Sequence, residues 1–222
     1  MTSPRKWPLW TSTGAAVTGL LAGALGAALI VLGFSVHALP SAAMTPTLER
    51  GSRVITEKVR DSDVRRGDIV LVDSPWDMRG LVVKRVIGIA GDRVACCVDG
   101  HVTLNGQPLT EPYLHGGDAD GFSRAYSAIV PEGRLFLLGD HRADSVDSRL
   151  YLEREAGSIA VTTVRERVVW HDGADSGPLP GKLLGPLTVL AGGGLLAVAG
   201  LVATVVTATL AARRRRRTAP AA

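Results

Sequence analysis

The chain has 222 residues, a formal net charge of +4 and two cysteines. Five of its positive charges form the single run Arg213 to Arg217, and without that run the remainder is about neutral. This argues against a nucleic-acid footprint and for a membrane-topology signal.

Two charge-free apolar runs leave roughly 140 residues between them, enough for one domain with its own core. The first, Gly14 to Val36, is rich in Ala, Leu, Gly and Val, and about 20 such residues suffice to cross the hydrocarbon of a bilayer. A cleavable signal peptide needs an apolar region of only about 7 to 15 residues. The longer run favours a retained anchor, although Ser41 and Ala43 have the small-x-small spacing of a cleavage site. The second run, Leu187 to Leu210, lies between Lys182 and the arginines and predicts a second span. Arg5 and Lys6 before the first span and Arg213 to Arg217 after the second place both termini in the cytoplasm. The predicted organisation is therefore a cytoplasmic N-terminus over 1–13, a transmembrane helix over 14–36, an extracytoplasmic β domain and linker over 37–182, a transmembrane helix over 187–210 and a basic cytoplasmic tail over 211–222. Cys96 and Cys97 are adjacent in a compartment that permits disulfides. Unpaired thiols are expected ahead of a vicinal disulfide, because a bridge between neighbours is strained, and two cysteines alone make a poor metal site.

Between the spans the chain reads as short strands with close turns. Arg53 to Val59, Ile69 to Val72, Leu81 to Ile89 and Arg93 to Val98 carry the β-branched residues of strands, with Gly67-Asp68 and Gly91-Asp92 as turns. Val102 to Leu104, Asn105-Gly106 and Gln107 to Leu109 form a hairpin with a primed turn, and Pro108 puts its second strand at an edge. Glu111 to Ser123 is polar and glycine-rich, a surface loop in which nothing suggests chemistry. Tyr126 to Val130, Arg134 to Leu138 and Ile159 to Val169 are further strands, and Asp172 to Lys182 is a linker. The fold class expected is mainly β, an antiparallel sheet coiled into a barrel-like extracytoplasmic domain, with two transmembrane helices.

Lys84 is the first candidate for chemistry. In a strand Val82, Lys84 and Val86 share one face, so the lysine is flanked by valines. Burial there disfavours the ammonium and lets lysine accept a proton near neutral pH, whereas on an edge strand the ammonium simply reaches water. The segment Gly139 to Arg149, GDHRADSVDSR, is too polar for core and too dense in charge to be featureless.

Three segments in order, PSAAMTPTL at Pro40 to Leu48, VVKRVIGIAGD from Val82, and GDHRADSVDSR from Gly139, resemble the boxes of type I signal peptidases. The resemblance implies a serine-lysine dyad that removes signal peptides from secretory precursors after small-x-small motifs at the outer face of the cell membrane, with no metal or organic cofactor. Lys84 takes the position of the general base. Ser41 takes that of an oxyanion-hole hydroxyl, beside the backbone N–H of the nucleophile position. Ser145 falls on the serine that orients the lysine, Asp147 and Arg149 on the pair that braces the loop, and Asp140 on the carboxylate paired with Arg85. The nucleophile position is Ala43, whose methyl group has no lone pair for attack. Either the serine has been replaced in an otherwise complete site, or the chain recognises signal peptides without cutting them. Ser41 as a displaced nucleophile is disfavoured, since positions 41 and 43 of an extended chain lie about 6 to 7 Å apart. Val82, Ala90, His141, Ala143 and Asp144 also depart from the boxes, and His141 is expected to be a solvated loop residue. The partners implied are signal-peptide-bearing precursors and the lipid bilayer, with no nucleic acid. A membrane-tethered scaffold without catalysis is the reading from another class. A soluble self-cleaving repressor of the serine-lysine type is disfavoured by the two spans.

Overall fold

In the computed structural model the described residues are 7–74, 76, 80–121, 125–173 and 176–217. Arg5, Lys6, the end of the basic tail at 218–222, Phe122 and Ser123 of the polar loop, and Ala174 and Asp175 of the linker lie outside them, as do the side chains of Arg213 to Arg217. The chain forms two compact units, a pair of helices and the β domain Phe34–Pro178.

The helices are α1, Trp7–Gly33, and α2, Gly181–Arg217, and both are long and apolar enough to cross a membrane. Their outer surfaces expose leucine and valine, including Leu21, Val31, Leu195 and Val198, while their inner surfaces meet through glycine. A Cβ on Gly26 would lie 2.5 Å from the Leu190 amide nitrogen, and one on Gly200 would lie 2.5 Å from that of Ala16. Gly19 against Ala197 and Gly193 against Gly23 leave equally little room. Small residues at such spacing let helix backbones approach closely, which is how helices gain packing energy in lipid, where the solvent is as apolar as leucine. The Thr204 hydroxyl also donates to the Ser12 hydroxyl across the pair, at 3.0 Å.

The β domain begins where α1 stops. Strands β1 (Phe34–Ala38), β2 (Arg53–Lys58), β3 (Ile69–Asp73), β4 (Leu81–Ile89), β9 (Arg134–Leu138), β10 (Ile159–Ala160) and β11 (Val164–His171) form a seven-stranded antiparallel sheet in the order β1-β2-β11-β3-β4-β9-β10. Strands β5 (Arg93–Val98), β6 (His101–Leu104), β7 (Gln107–Pro108) and β8 (Tyr126–Ile129) form a four-stranded sheet in the order β7-β6-β5-β8. The hairpin at Asn105-Gly106 is present, with Pro108 on the edge strand β7. Alternation along β9 divides the core. Leu135 and Leu137 join Val70, Val72, Val82 and Val86 on one side, while Phe136 and Leu138 join Ile87, Val94, Val102 and Tyr126 on the other. A third cluster, Leu39, Met44, Leu48 and Val54, anchors the turn after β1.

Four sequence expectations are corrected. The first apolar run is helical only to Gly33, and Phe34 to Val36 pair with β2 instead, because hydropathy alone does not distinguish an apolar helix from an apolar strand. Helix α2 starts at Gly181, so Lys182 belongs to the helix rather than to the linker. The stretch Ile159 to Val169 is not one strand, since a 3-10 turn over Val161–Thr163 splits it into β10, paired with β9, and β11, paired with β2 and β3. Cys96 and Cys97 are bonded to each other, adjacency alone keeping the two sulfurs within reach.

The glycine contacts predict that Gly19→Ile separates the helices. Cysteines placed at Ser12 and Thr204, whose hydroxyls meet at 3.0 Å, should crosslink efficiently in membranes of the parent chain and lose most of that yield in the Gly19→Ile background.

Candidate active site

After β1 the chain turns back on itself. Leu39 N–H donates to the Ser52 carbonyl at 3.0 Å and the Leu39 carbonyl accepts from Gly51 N–H at 2.8 Å, while Met44 and Leu48 form an antiparallel bridge. With the Met44 and Leu48 side chains buried, Ser41 to Ala43 is held at the rim of a cleft of about 150 Å³. Leu39, Pro40 and Met44 line this cleft together with Leu81, Val82 and Val83 of β4. Ser41, Ala43 and Lys84 all line it.

Lys84 sits where strand alternation puts it. It faces Val70 across the β3–β4 register, with Val82 and Val86 beside it, and is only 3% exposed. Burial pulls its ammonium below the ordinary lysine value; the Asp147 carboxylate opposes this shift and the Arg149 guanidinium adds to it. A lysine so placed carries the electron pair of a base closer to neutral pH.

The Ser41 hydroxyl accepts a hydrogen bond from Ala43 N–H at 3.1 Å. The two groups expected to face an oxyanion are therefore bonded to each other. The Ala43 carbonyl accepts from His141 N–H at 3.1 Å, which ties the nucleophile position to the charged segment.

In that segment Arg85 meets Asp140 through two bonds, Nε to Oδ1 at 2.8 Å and Nη2 to Oδ2 at 2.6 Å. The Thr47 hydroxyl also donates to Asp140, at 2.5 Å. Arg149 pairs with Asp147 in the same two-pronged way, at 2.8 and 2.9 Å, and Asp147 accepts the Gly139 amide at 3.1 Å. Bidentate pairs of this kind fix geometry as well as charge. Ser145 is buried against Gly139, and its hydroxyl has no partner among the described residues. The contact expected from Ser145 to Lys84 is not made here, so the hydroxyl remains an unused donor.

Three residues escaped the sequence reading. Arg142, fully buried, donates to the Gly139 carbonyl at 3.0 Å and to the Ala119 carbonyl at 2.7 Å, and it pairs with Glu111. Tyr113 lies over the Arg85 guanidinium at 3.8 Å and donates its hydroxyl to Glu111 at 2.9 Å. The loop read as a featureless surface is thus one wall of the network. The signal in the sequence is Tyr113-Leu114, an apolar pair in an otherwise polar stretch. His141 is half-buried rather than fully solvated: its Nδ1 is buried with no partner among the described residues, and its ring lies 4.1 Å from that of His115.

Two predictions follow from this geometry. A Cβ on Gly139 would lie 2.6 Å from the Ala43 carbonyl oxygen and closer still to the Ser145 hydroxyl. Gly139→Ala should therefore cost about 1–3 kcal/mol, read as a lowered thermal midpoint in detergent. The second concerns pH. The folded pKa of Lys84 lies below the ordinary 10.5, so between those values the unfolded chain binds the extra proton and stability rises with pH. Lys84→Met removes this dependence. Its melting temperature relative to the parent should be most favourable near pH 6 and decline toward pH 10.

Residues 12–170 match the family described as signal peptidase, peptidase S26. The chain is 31% identical over 175 residues to the "Probable signal peptidase I" of Mycobacterium leprae, covering 58% of this chain and 61% of that protein. It is 35% identical over 126 residues to signal peptidase I of Bacillus licheniformis, covering 52% and 66% respectively. With signal peptidase I of Bacillus caldolyticus the identity is 33% over 158 residues, covering 65% of this chain and 80% of that one. The chain thus spans somewhat less than two thirds of the length of the first two relatives. A family match that runs from α1 to the end of β11 and contains Ser41, Ala43, Lys84 and the Gly139 to Arg149 network establishes that the chain belongs to the signal peptidase family, peptidase S26.

Proposed function

We propose that the chain is a membrane-bound protein of signal peptidase I type whose cleft takes secretory precursors at a small-x-small segment. We further propose that Ala43 leaves this site able to bind but not to cut. The observation that carries the reading is the buried Lys84 in one cleft with Ser41 and Ala43. Its β4 neighbourhood also supports an extended substrate. Strand β9 pairs with β4 only from Arg85 onward, so Leu81 to Lys84 have no β9 partner among the described residues, and they line the same cleft as Ser41 and Ala43. An added strand gains backbone hydrogen bonds there, and small apolar walls select small side chains.

With serine at position 43 the steps follow from the groups present. The hydroxyl oxygen attacks the scissile carbonyl as Lys84 takes its proton, and the developing oxyanion recruits the position-43 N–H and the Ser41 hydroxyl. Collapse breaks the C–N bond, and Lys84 returns the proton to the leaving amine. Water, activated by the same lysine, then hydrolyses the acyl-enzyme. This chemistry uses no metal or organic cofactor. The basic flanks at Arg5 and Lys6 and at Arg213 to Arg217 support cytoplasmic termini, with the β domain on the outer face. For the chain as it stands, Ala43 favours binding of signal peptides without cleavage.

The test is cleavage of a small-x-small precursor by the full chain in detergent. Ala43→Ser should cut, Ala43→Ser/Lys84→Ala should not, and the parent should bind the precursor while cutting on the order of a millionfold more slowly. An Ala43→Ser chain that binds but stays inert would sink the peptidase reading and leave binding alone.

A further inference from the structure

The backbone from Gly139 to His141 is the part of the charged segment that touches Ala43. His141 N–H bonds the Ala43 carbonyl, and Gly139 sits too close to that same oxygen to carry a side chain. Two arginines hold this backbone. Arg85 grips Asp140 from β4, one residue after Lys84, and Arg142 grips the Gly139 carbonyl.

Both arginines are in turn held by one short piece of the loop after β7. The Tyr113 ring covers the Arg85 guanidinium, the Glu111 carboxylate pairs with Arg142, and the Tyr113 hydroxyl bonds to Glu111 Oε1. A cation over an aromatic face is attracted by the ring, and a carboxylate facing buried arginine gives a strong, directional bond. Burial and the neighbouring Glu111 push the Tyr113 phenol well above its usual range, so it remains a donor. Glu111 Oε1 is shared between the two contacts, which makes the three side chains a single cross-brace.

We propose that Glu111 and Tyr113 are positioning residues of the active site, locking Arg85 and Arg142 so that the Gly139–His141 backbone is held against position 43. Neither touches the cleft itself, and their effect passes through the two arginines. The inference rests on the reading that the site cuts once serine stands at position 43.

The experiment uses Tyr113→Leu and Tyr113→Phe in the full Ala43→Ser chain in detergent, with a small-x-small precursor peptide as substrate. Tyr113→Leu uncovers Arg85 and should lower kcat on the order of a hundredfold, the cost of misplacing a catalytic group by about 1 Å. Its KM should change by less than about threefold, because the walls of the cleft are untouched. The acid limb of its kcat/KM profile should move to higher pH, since a loosened Arg85 offsets Asp140 less well and that carboxylate favours the charged lysine. Tyr113→Phe keeps the ring and loses only the bond to Glu111, so it should retain most of the parent rate. If Tyr113→Leu merely lowers the yield of folded protein, leaving kcat per active site and the pH limb unchanged, the proposal is overturned.

A second arm needs no cleavage. In the chain with Ala43, Tyr113→Leu should speed amide exchange at His141 about tenfold or more while leaving β3 amides as they are. Unchanged exchange at His141 overturns the brace. An Ala43→Ser parent that cuts nothing overturns the peptidase reading instead, and the exchange arm still decides the brace.

Discussion

A buried ammonium group is costly, and Lys84 lies on the apolar face of β4 between Val82 and Val86. Carboxylates stand nearby, and an unpaired one would hold the lysine in its charged form. Two of them are committed, Asp140 to Arg85 and Asp147 to Arg149, in two-pronged pairs, while Asp144 is exposed to solvent. The arginines thus offset part of the counter-charge that favours the ammonium, and burial prevails in lowering the lysine below its ordinary value.

Much of this was legible in the sequence. Strict alternation put Lys84 on a valine face, and the structure places it there, opposite Val70. The hairpin at Asn105-Gly106 was readable from turn chemistry, and the pairings of Arg85 with Asp140 and of Arg149 with Asp147 were implied by the resemblance to the signal peptidase boxes. What was not legible depends on distance in space. Helix and strand share the same apolar letters around Gly33, so only pairing with β2 reveals that Phe34 to Val36 are strand. Glu111 and Tyr113 lie about thirty residues from Arg142 and Arg85 along the chain, and no local pattern announces that they meet. Arg142 looked like one more charge in a polar loop, yet its guanidinium is sealed from water with three acceptors arranged around it.

Close packing around glycine recurs in both units for different ends. In the helix pair it lets backbones touch, the packing on which helices rely in lipid, where no aqueous driving force exists. At Gly139 it brings a main-chain segment against Ala43 and Ser145 so tightly that one methyl group has no place. Gly88 on β4 does the same for the core, leaving room for the Val94 and Val130 side chains beside the irregular register with β9. In each case the missing side chain brings neighbouring groups closer together.

The hydrogen bond between Ala43 N–H and the Ser41 hydroxyl oxygen gives the cleft a resting state in which this amide is already engaged. An incoming acceptor has to compete for it. A neutral carbonyl oxygen offers a bond no better than the one it displaces, whereas an oxygen carrying full negative charge accepts a bond roughly twice as strong. On the proposed function, and with serine at position 43, that contact would act as a threshold: the amide would be released to a charged tetrahedral intermediate in preference to a merely bound peptide. In the chain with Ala43 no such charge develops, and the same contact leaves the amide engaged with Ser41.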